Sequence, residues 1–215
     1  YRMLARYQAP AQAVGEQAYQ GELIYSFNKN TNVSLNYSDI RDLSGLQLFN
    51  EQFFQLEHKF NRKWKGKLGL QMVTYNQSVY EGKDPKKIDN VKTFTPFGEV
   101  TYKINRKNSI RLESQMLNTE QDLGSFYHGI LEWNNSPKYT IAISNMINTN
   151  PVRVVNPTLA NQVLYYPGIF VKYNVKTTSF TASYVKQVEG INCTGGICRL
   201  EPAFSGLRFT LSTQF

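Results

Sequence analysis

Apolar and polar residues alternate with a period of two along most of the chain, and no run of a dozen residues carries a clean helical stripe. From Tyr19 the apolar set is Tyr19, Gly21, Leu23, Tyr25 and Phe27, opposed by Gln20, Glu22, Ser26 and Asn28, with Ile24 the one exception. Past Lys29 to Thr31 the alternation resumes at Val33, Leu35 and Tyr37. Phe54, Leu56, His58 and Phe60 turn through Asn61 to Lys63 into Trp64, Gly66, Leu68, Leu70 and Met72. Val100, Tyr102 and Ile104 lead through a turn to Ile110, Leu112 and Met116; Tyr127, Gly129, Leu131 and Trp133 lead to Tyr139, Ile141 and Ile143. Ile169, Val171, Tyr173 and Val175 lead to Phe180, Ala182 and Tyr184, and the chain closes on Leu207, Phe209, Leu211, Thr213 and Phe215. Each pair predicts an antiparallel hairpin, so the chain is expected to be all-β.

With a first strand placed within Tyr1 to Gln8, the pattern predicts twelve strands, which leaves about 18 residues for each strand and its link. Short turns are expected near 29–31, 61–63, 105–108, 134–138 and 176–177, and long links at about 9–16, 39–50, 76–92, 118–125, 148–162 and 189–201. Strict alternation of short and long links is the pattern of an antiparallel up-and-down transmembrane β-barrel. Residues 1–215 are therefore expected to form one barrel domain. The chain opens at Tyr1 without a targeting pattern, and is expected to be the C-terminal part of something longer.

The placement of the aromatic residues decides between a soluble sandwich and a barrel facing lipid. Phe27, Phe60, Trp64, Tyr102, Trp133, Tyr139, Tyr173, Phe180 and Phe215 all flank the short turns, as a girdle at one membrane surface would. Lys29, Arg62, Lys63, Arg106, Lys107, Lys138 and Lys176 lie in the same turns, where they are placed to meet lipid phosphates, although Lys and Asn are also ordinary turn residues. The opposite face carries Arg2, Arg6, Lys59, Lys65, Lys67, Lys103, Arg111, Lys172 and Arg208 with Glu22, Glu57, Glu99, Glu113 and Glu132. Charge inside and grease outside reverses the arrangement of a soluble barrel.

Composition agrees with this picture. The chain is 41% hydrophobic and 13% aromatic, too aromatic for a disordered chain, and the longest convincing apolar stretch, Val163 to Val171, is nine residues with Pro167 and Gly168 inside it. A spanning helix needs roughly 20 apolar residues. The net charge of +8 suits an anionic partner.

The last strand, FSGLRFTLSTQF, resembles the C-terminal strand of Gram-negative outer-membrane barrels, which end on an aromatic residue after alternating apolar positions. Phe215, Leu211, Phe209 and Leu207 match that pattern, and Thr213 is a weaker member. The longer run CTGGICRLEPAFSGLRFTLSTQF is similar to the ends of Bacteroidota outer-membrane barrel proteins of a largely uncharacterised family. The resemblance implies a bacterial outer-membrane location and an assembly signal in Phe209, Leu211 and Phe215 recognised by the barrel-assembly machinery.

Cys193 and Cys198 are the only cysteines, and the Gly-Gly between them favours a turn that brings the sulfurs together; a local disulfide is preferred to free thiols. Two cysteines with distant His58 and His128 make a poor zinc site. Neither histidine has a serine in a nucleophile pattern, and both read as strand residues. Asp39, Asp42, Asp84, Asp89, Glu120 and Asp122 fall in long links, where solvated charge is expected. No catalytic, cofactor or metal set is therefore named. The expected partners are the lipid bilayer and lipopolysaccharide, the assembly machinery and other outer-membrane or periplasmic proteins, with no nucleic acid. The favoured function is a non-enzymatic scaffold or subunit of an envelope complex. A narrow anion-preferring pore or uptake channel comes second, and a barrel-embedded hydrolase third.

Overall fold

The computed structural model describes residues 3–11, 15–84, 90–151, 162–194 and 197–214, with backbone alone for 150, 191–194 and 197–200. Eleven strands form one sheet in which every neighbour is antiparallel and follows in chain order. They are β1 (Glu16–Asn28), β2 (Thr31–Asp42), β3 (Gln47–Lys59), β4 (Trp64–Tyr75), β5 (Val91–Lys103), β6 (Asn108–Leu117), β7 (Ser125–Asn135), β8 (Tyr139–Asn150), β9 (Leu164–Val175), β10 (Thr178–Gln187) and β13 (Phe204–Thr213). Between the last two, β11 (Gly190–Thr194) and β12 (Ile197–Glu201) make a separate hairpin. The single helix among the described residues, α1 (Gln77–Glu81), begins where the Asn76 side chain accepts from the Val79 amide at 3.1 Å and ends at Gly82 with φ 66°.

Over residues 3–8, the described part of Tyr1 to Gln8, the expected strand does not form, so the main sheet has eleven strands among the described residues rather than twelve. Residues 3–7 turn tightly, with the Arg6 amide donating to the Met3 carbonyl at 3.3 Å. Met3 and Tyr7, four apart, are thereby buried together on the concave face beside Leu48, Tyr75, Leu117 and Phe126. A spacing of four puts both side chains on one face of a strand or of a turn alike, so contact with the buried cluster decides between the two. The link expected over 39–50 also contracts. The β2–β3 hairpin runs on to Asp42 and Gln47, and the carboxylate of Asp42 accepts from the Ser44 and Leu46 amides, each at 2.8 Å. That polar turn closes locally and needs no long excursion.

Asparagine side chains tighten the β3–β4 and β5–β6 turns. Asn61 Oδ1 accepts from the amides of Lys63 and Trp64 at 2.8 and 2.9 Å, and Asn105 Oδ1 accepts from those of Lys107 and Asn108 at 2.9 Å each. All five short turns lie at one end of the sheet. The buried cluster lies at the other end, where the N-terminal segment and α1 cover the concave face. Gly69 in this face makes room for the Phe97 ring of the neighbouring strand, since a Cβ there would come within 2.5 Å of that ring.

The sheet is not closed. The edge strands β1 and β13 have no partner on their outer side among the described residues, and since ten antiparallel steps separate them they run in the same direction.

Candidate functional site

Alternation divides the strands into two surfaces of opposite chemistry. On the concave surface a ladder of charges crosses five strands. Glu57 on β3 accepts from Lys65 at 2.8 Å and lies 3.9 Å from Lys67 on β4; Lys67 reaches Glu99 on β5 at 3.5 Å. Arg111 on β6 then joins Glu99 at 3.2 Å to Glu132 on β7 at 2.9 Å, and also binds Glu113 on its own strand. Three cations meet four carboxylates here, so this ladder carries a net charge of 3 − 4 = −1.

The N-terminal segment plugs into the same surface. The Met3 amide donates to Gln115 Oε1 at 2.7 Å, and the Gln115 amide group donates to Glu113. Further toward the long-link end, Asp122 accepts from the Tyr7 hydroxyl at 2.8 Å, from Arg6 at 3.2 Å and from Lys83 at 2.9 Å. Burial opposes the charged form of Asp122, but Arg6 and Lys83 override it and hold the carboxyl well below the usual carboxylate range. Burial likewise pushes the Tyr7 hydroxyl far above its ordinary value. These groups line a small cavity of about 80 Å³ together with Glu81, Leu123, Glu189 and Gly190.

The residues named from the sequence as inward charges therefore divide. Lys65, Lys67, Glu57, Glu99, Arg111, Glu113 and Glu132 are brought together. Lys59 pairs in register with Lys65 at the exposed end of β3, and Lys103 stands exposed at the end of β5. Lys172 is half-buried between Thr140 and Thr181. Arg208, on the unpaired edge, lies 4.7 Å over the Phe204 ring, and Glu22 is exposed on the other edge. Arg6 belongs to the Asp122 cluster, and Arg2 lies outside the described residues. The expectation of a solvated Asp122 is corrected, since its side chain is 5% exposed. Its burial depends on Arg6, more than a hundred residues away, which no local pattern signals. Asp39 is also buried, accepting from Arg41, Gln47 and Asn50.

The convex surface carries the aromatics that flank the short turns. Register aligns Trp64, Tyr102, Ile110, Trp133, Ile141, Val171, Ala182 and Phe209 in one row across eight strands. A second row joins Tyr139, Tyr173, Phe180 and Leu211. Ring centroids lie 4.6 Å apart for Trp64 and Tyr102 and 4.9 Å for Tyr139 and Tyr173. Phe27 and Phe60 are exposed beside the first two short turns. Farther from these turns Leu68, Leu131, Ile143 and Ile169 are all at least half exposed on the same side. Phe209 and Leu211 lie exposed on β13, and Phe215 falls outside the described residues. Cys193 faces Cys198 in the β11–β12 register, but their side chains lie outside the described residues.

His128 is buried on the concave face, and His58 on the convex face has Nδ1 2.9 Å from the Thr31 hydroxyl. No group of three or more His, Cys, Asp or Glu side chains among the described residues is arranged to hold a metal ion.

Fold and surfaces define an all-β protein built on one large antiparallel up-and-down sheet, ionic on one face and apolar on the other. The chain matches DUF6029, a family of unknown function, over residues 1–215 and belongs to that family. A comparison with curated proteins finds no match.

Proposed function

We propose that this chain is membrane-spanning wall of a bacterial outer-membrane β-barrel, acting as a non-enzymatic scaffold or subunit of an envelope complex. The observation that carries this reading is the continuous apolar convex surface set against an ion-paired concave one. In water the convex surface would expose far more contiguous apolar area than the few hundred Å² that soluble monomers tolerate. Lipid removes that cost, provided that strand edges are paired, because an unpaired backbone group in hydrocarbon costs several kcal/mol. Since β1 and β13 run in the same direction, antiparallel closure takes an odd number of further strands between them. Neither edge bears the protection of a soluble sheet: β1 and β13 hold no proline, and one charged residue stands inside each run (Glu22 and Arg208).

A scaffold is favoured over a channel because Met3 to Gln8, α1 and the Glu57-to-Glu132 ladder occupy the concave side. The C-terminal strand and its likeness to Gram-negative barrels support the outer-membrane location and the assembly role of Phe209, Leu211 and Phe215. Lipopolysaccharide, the assembly machinery and envelope proteins are the partners that follow. The protein incorporated into planar bilayers is expected to be silent; a steady anion-selective conductance would favour a pore instead.

A further inference from the structure

The sequence Asn-Arg-Lys occurs twice, at Asn61–Lys63 and Asn105–Lys107, and folds the same way both times. In each copy the asparagine side chain accepts from the two amides that follow the arginine, at 2.8 to 2.9 Å. The β3–β4 and β5–β6 turns are neighbours at the short-turn end, and backbone bonds lock them to the adjoining structure. The Lys103 amide donates to the Lys63 carbonyl at 2.8 Å, and the Ser136 amide of the next turn donates to the Lys107 carbonyl at 2.8 Å. Between them lies an open bowl of about 430 Å³ lined by Arg62, Lys63, Lys103, Arg106 and Lys107, with Ser109 among its polar groups.

Five cations converge there, and no carboxylate lines the bowl. None of the five forms an ion pair among the described residues. The contrast with the ladder is sharp, because there each cation meets at least one carboxylate. Nor does any short turn contain Asp or Glu, whereas Asp42, Glu81, Asp84, Glu120, Asp122 and Glu189 all sit at the long-link end. Cations held together by a backbone-locked frame repel one another, and an anion relieves that repulsion. Arginine's planar fork matches two oxygens of a phosphate, and the adjacent lysine adds a point charge.

We propose that the bowl between the two Asn-Arg-Lys turns is a binding site for phosphate groups, supplied either by lipid headgroups at the membrane surface or by a soluble phosphate ester. The lipid source rests on the membrane reading above; the phosphate chemistry does not.

The test uses detergent-solubilised protein with two probes: native mass spectrometry with phosphatidylglycerol against phosphatidylcholine, and calorimetric titration with inorganic pyrophosphate near physiological salt. Phosphatidylglycerol is expected to be retained over phosphatidylcholine, with pyrophosphate competing. The Arg62→Gln/Arg106→Gln pair should lower affinity roughly tenfold or more, while Lys29→Gln/Lys176→Gln, which removes the same charge elsewhere on that end, should lower it less than about threefold. All four side chains are exposed on turns, and far-UV circular dichroism checks that the variants fold. Equal losses in the two pairs, or no binding of either probe to the unaltered protein, would overturn the proposal. Binding of pyrophosphate without phosphatidylglycerol supports the site with a soluble source. Binding of pyrophosphate by a chain that never enters a membrane leaves the site standing while the membrane reading falls.

Discussion

Arg6 reaches Asp122 at 3.2 Å, joining the N-terminal segment to the β6–β7 link across 116 residues of chain. Both side chains are nearly excluded from solvent, at 10% and 5% exposure, and while Asp122 also meets Lys83 at 2.9 Å, Arg6 has its ion pair with Asp122 alone among the described residues. Asp122→Asn should destabilise the folded protein by about 3–5 kcal/mol, because it leaves Arg6 buried without its anion. Adding Arg6→Met should recover part of the loss, as measured by urea titration in mild detergent. A double variant no more stable than Asp122→Asn alone would contradict this pairing.

The same carboxylate sets a pH dependence. Asp122 is more acidic folded than its unfolded value of about 3.9, so its stabilising contribution is complete above that pH. As pH falls below it, the unfolded chain takes up the proton first, and the contribution is lost toward the folded value. Melting followed from pH 6 to pH 2 should therefore show a decline that Asp122→Asn makes shallower, the remainder coming from Asp39, Asp42 and Glu132, whose carboxylates are also held by hydrogen bonds in the folded chain. A variant with the same acid slope as the parent would place the titration elsewhere.

Depth along the convex face separates two substitutions that look alike in sequence. Leu70 lies several residues above the Trp64 row, whereas Ile141 lies within that row, beside Trp133 in register. If that row marks the membrane surface, Leu70→Arg costs about 2–4 kcal/mol and Ile141→Arg about 0–1. Unfolding in lipid vesicles measures both, and equal costs would mean that the aromatic row does not mark the interface.

The fold's two faces were legible from alternation alone, because successive strand side chains must point to opposite sides. Short turns were legible for a similar reason, since Asn61 and Asn105 bond their own backbone and need no distant partner. Three features were not. Met3 and Tyr7 fit an alternating pattern as well as the turn that buries them, and only Leu48, Tyr75 and Phe126 decide between the two. Asp122 is a solvated loop residue until Arg6 arrives from the other end of the chain. Ladder pairing was also hidden: Lys67, Glu99 and Arg111 could be assigned to one face, but their meeting depends on register across three strands.

Cys193 and Cys198 stand opposite one another in a hairpin that is separate from the main sheet. We predict a disulfide between them, which closes only a small loop and so constrains the unfolded chain little. Reduction should leave the melting of the large sheet within about 3 kcal/mol of the oxidised form. Mass spectrometry checks the bond. Two free thiols in protein isolated without reductant would contradict it.

Spin labels placed singly at Leu68, Leu131 and Ile143 on the convex face, and at Lys67, Glu99 and Ile130 on the concave face, test the membrane assignment most directly. In lipid vesicles the first three should collide with oxygen in preference to a water-soluble nickel complex, and the second three should show the opposite preference or no access to either reagent. Convex labels that favour the nickel complex would contradict the placement of this surface against hydrocarbon.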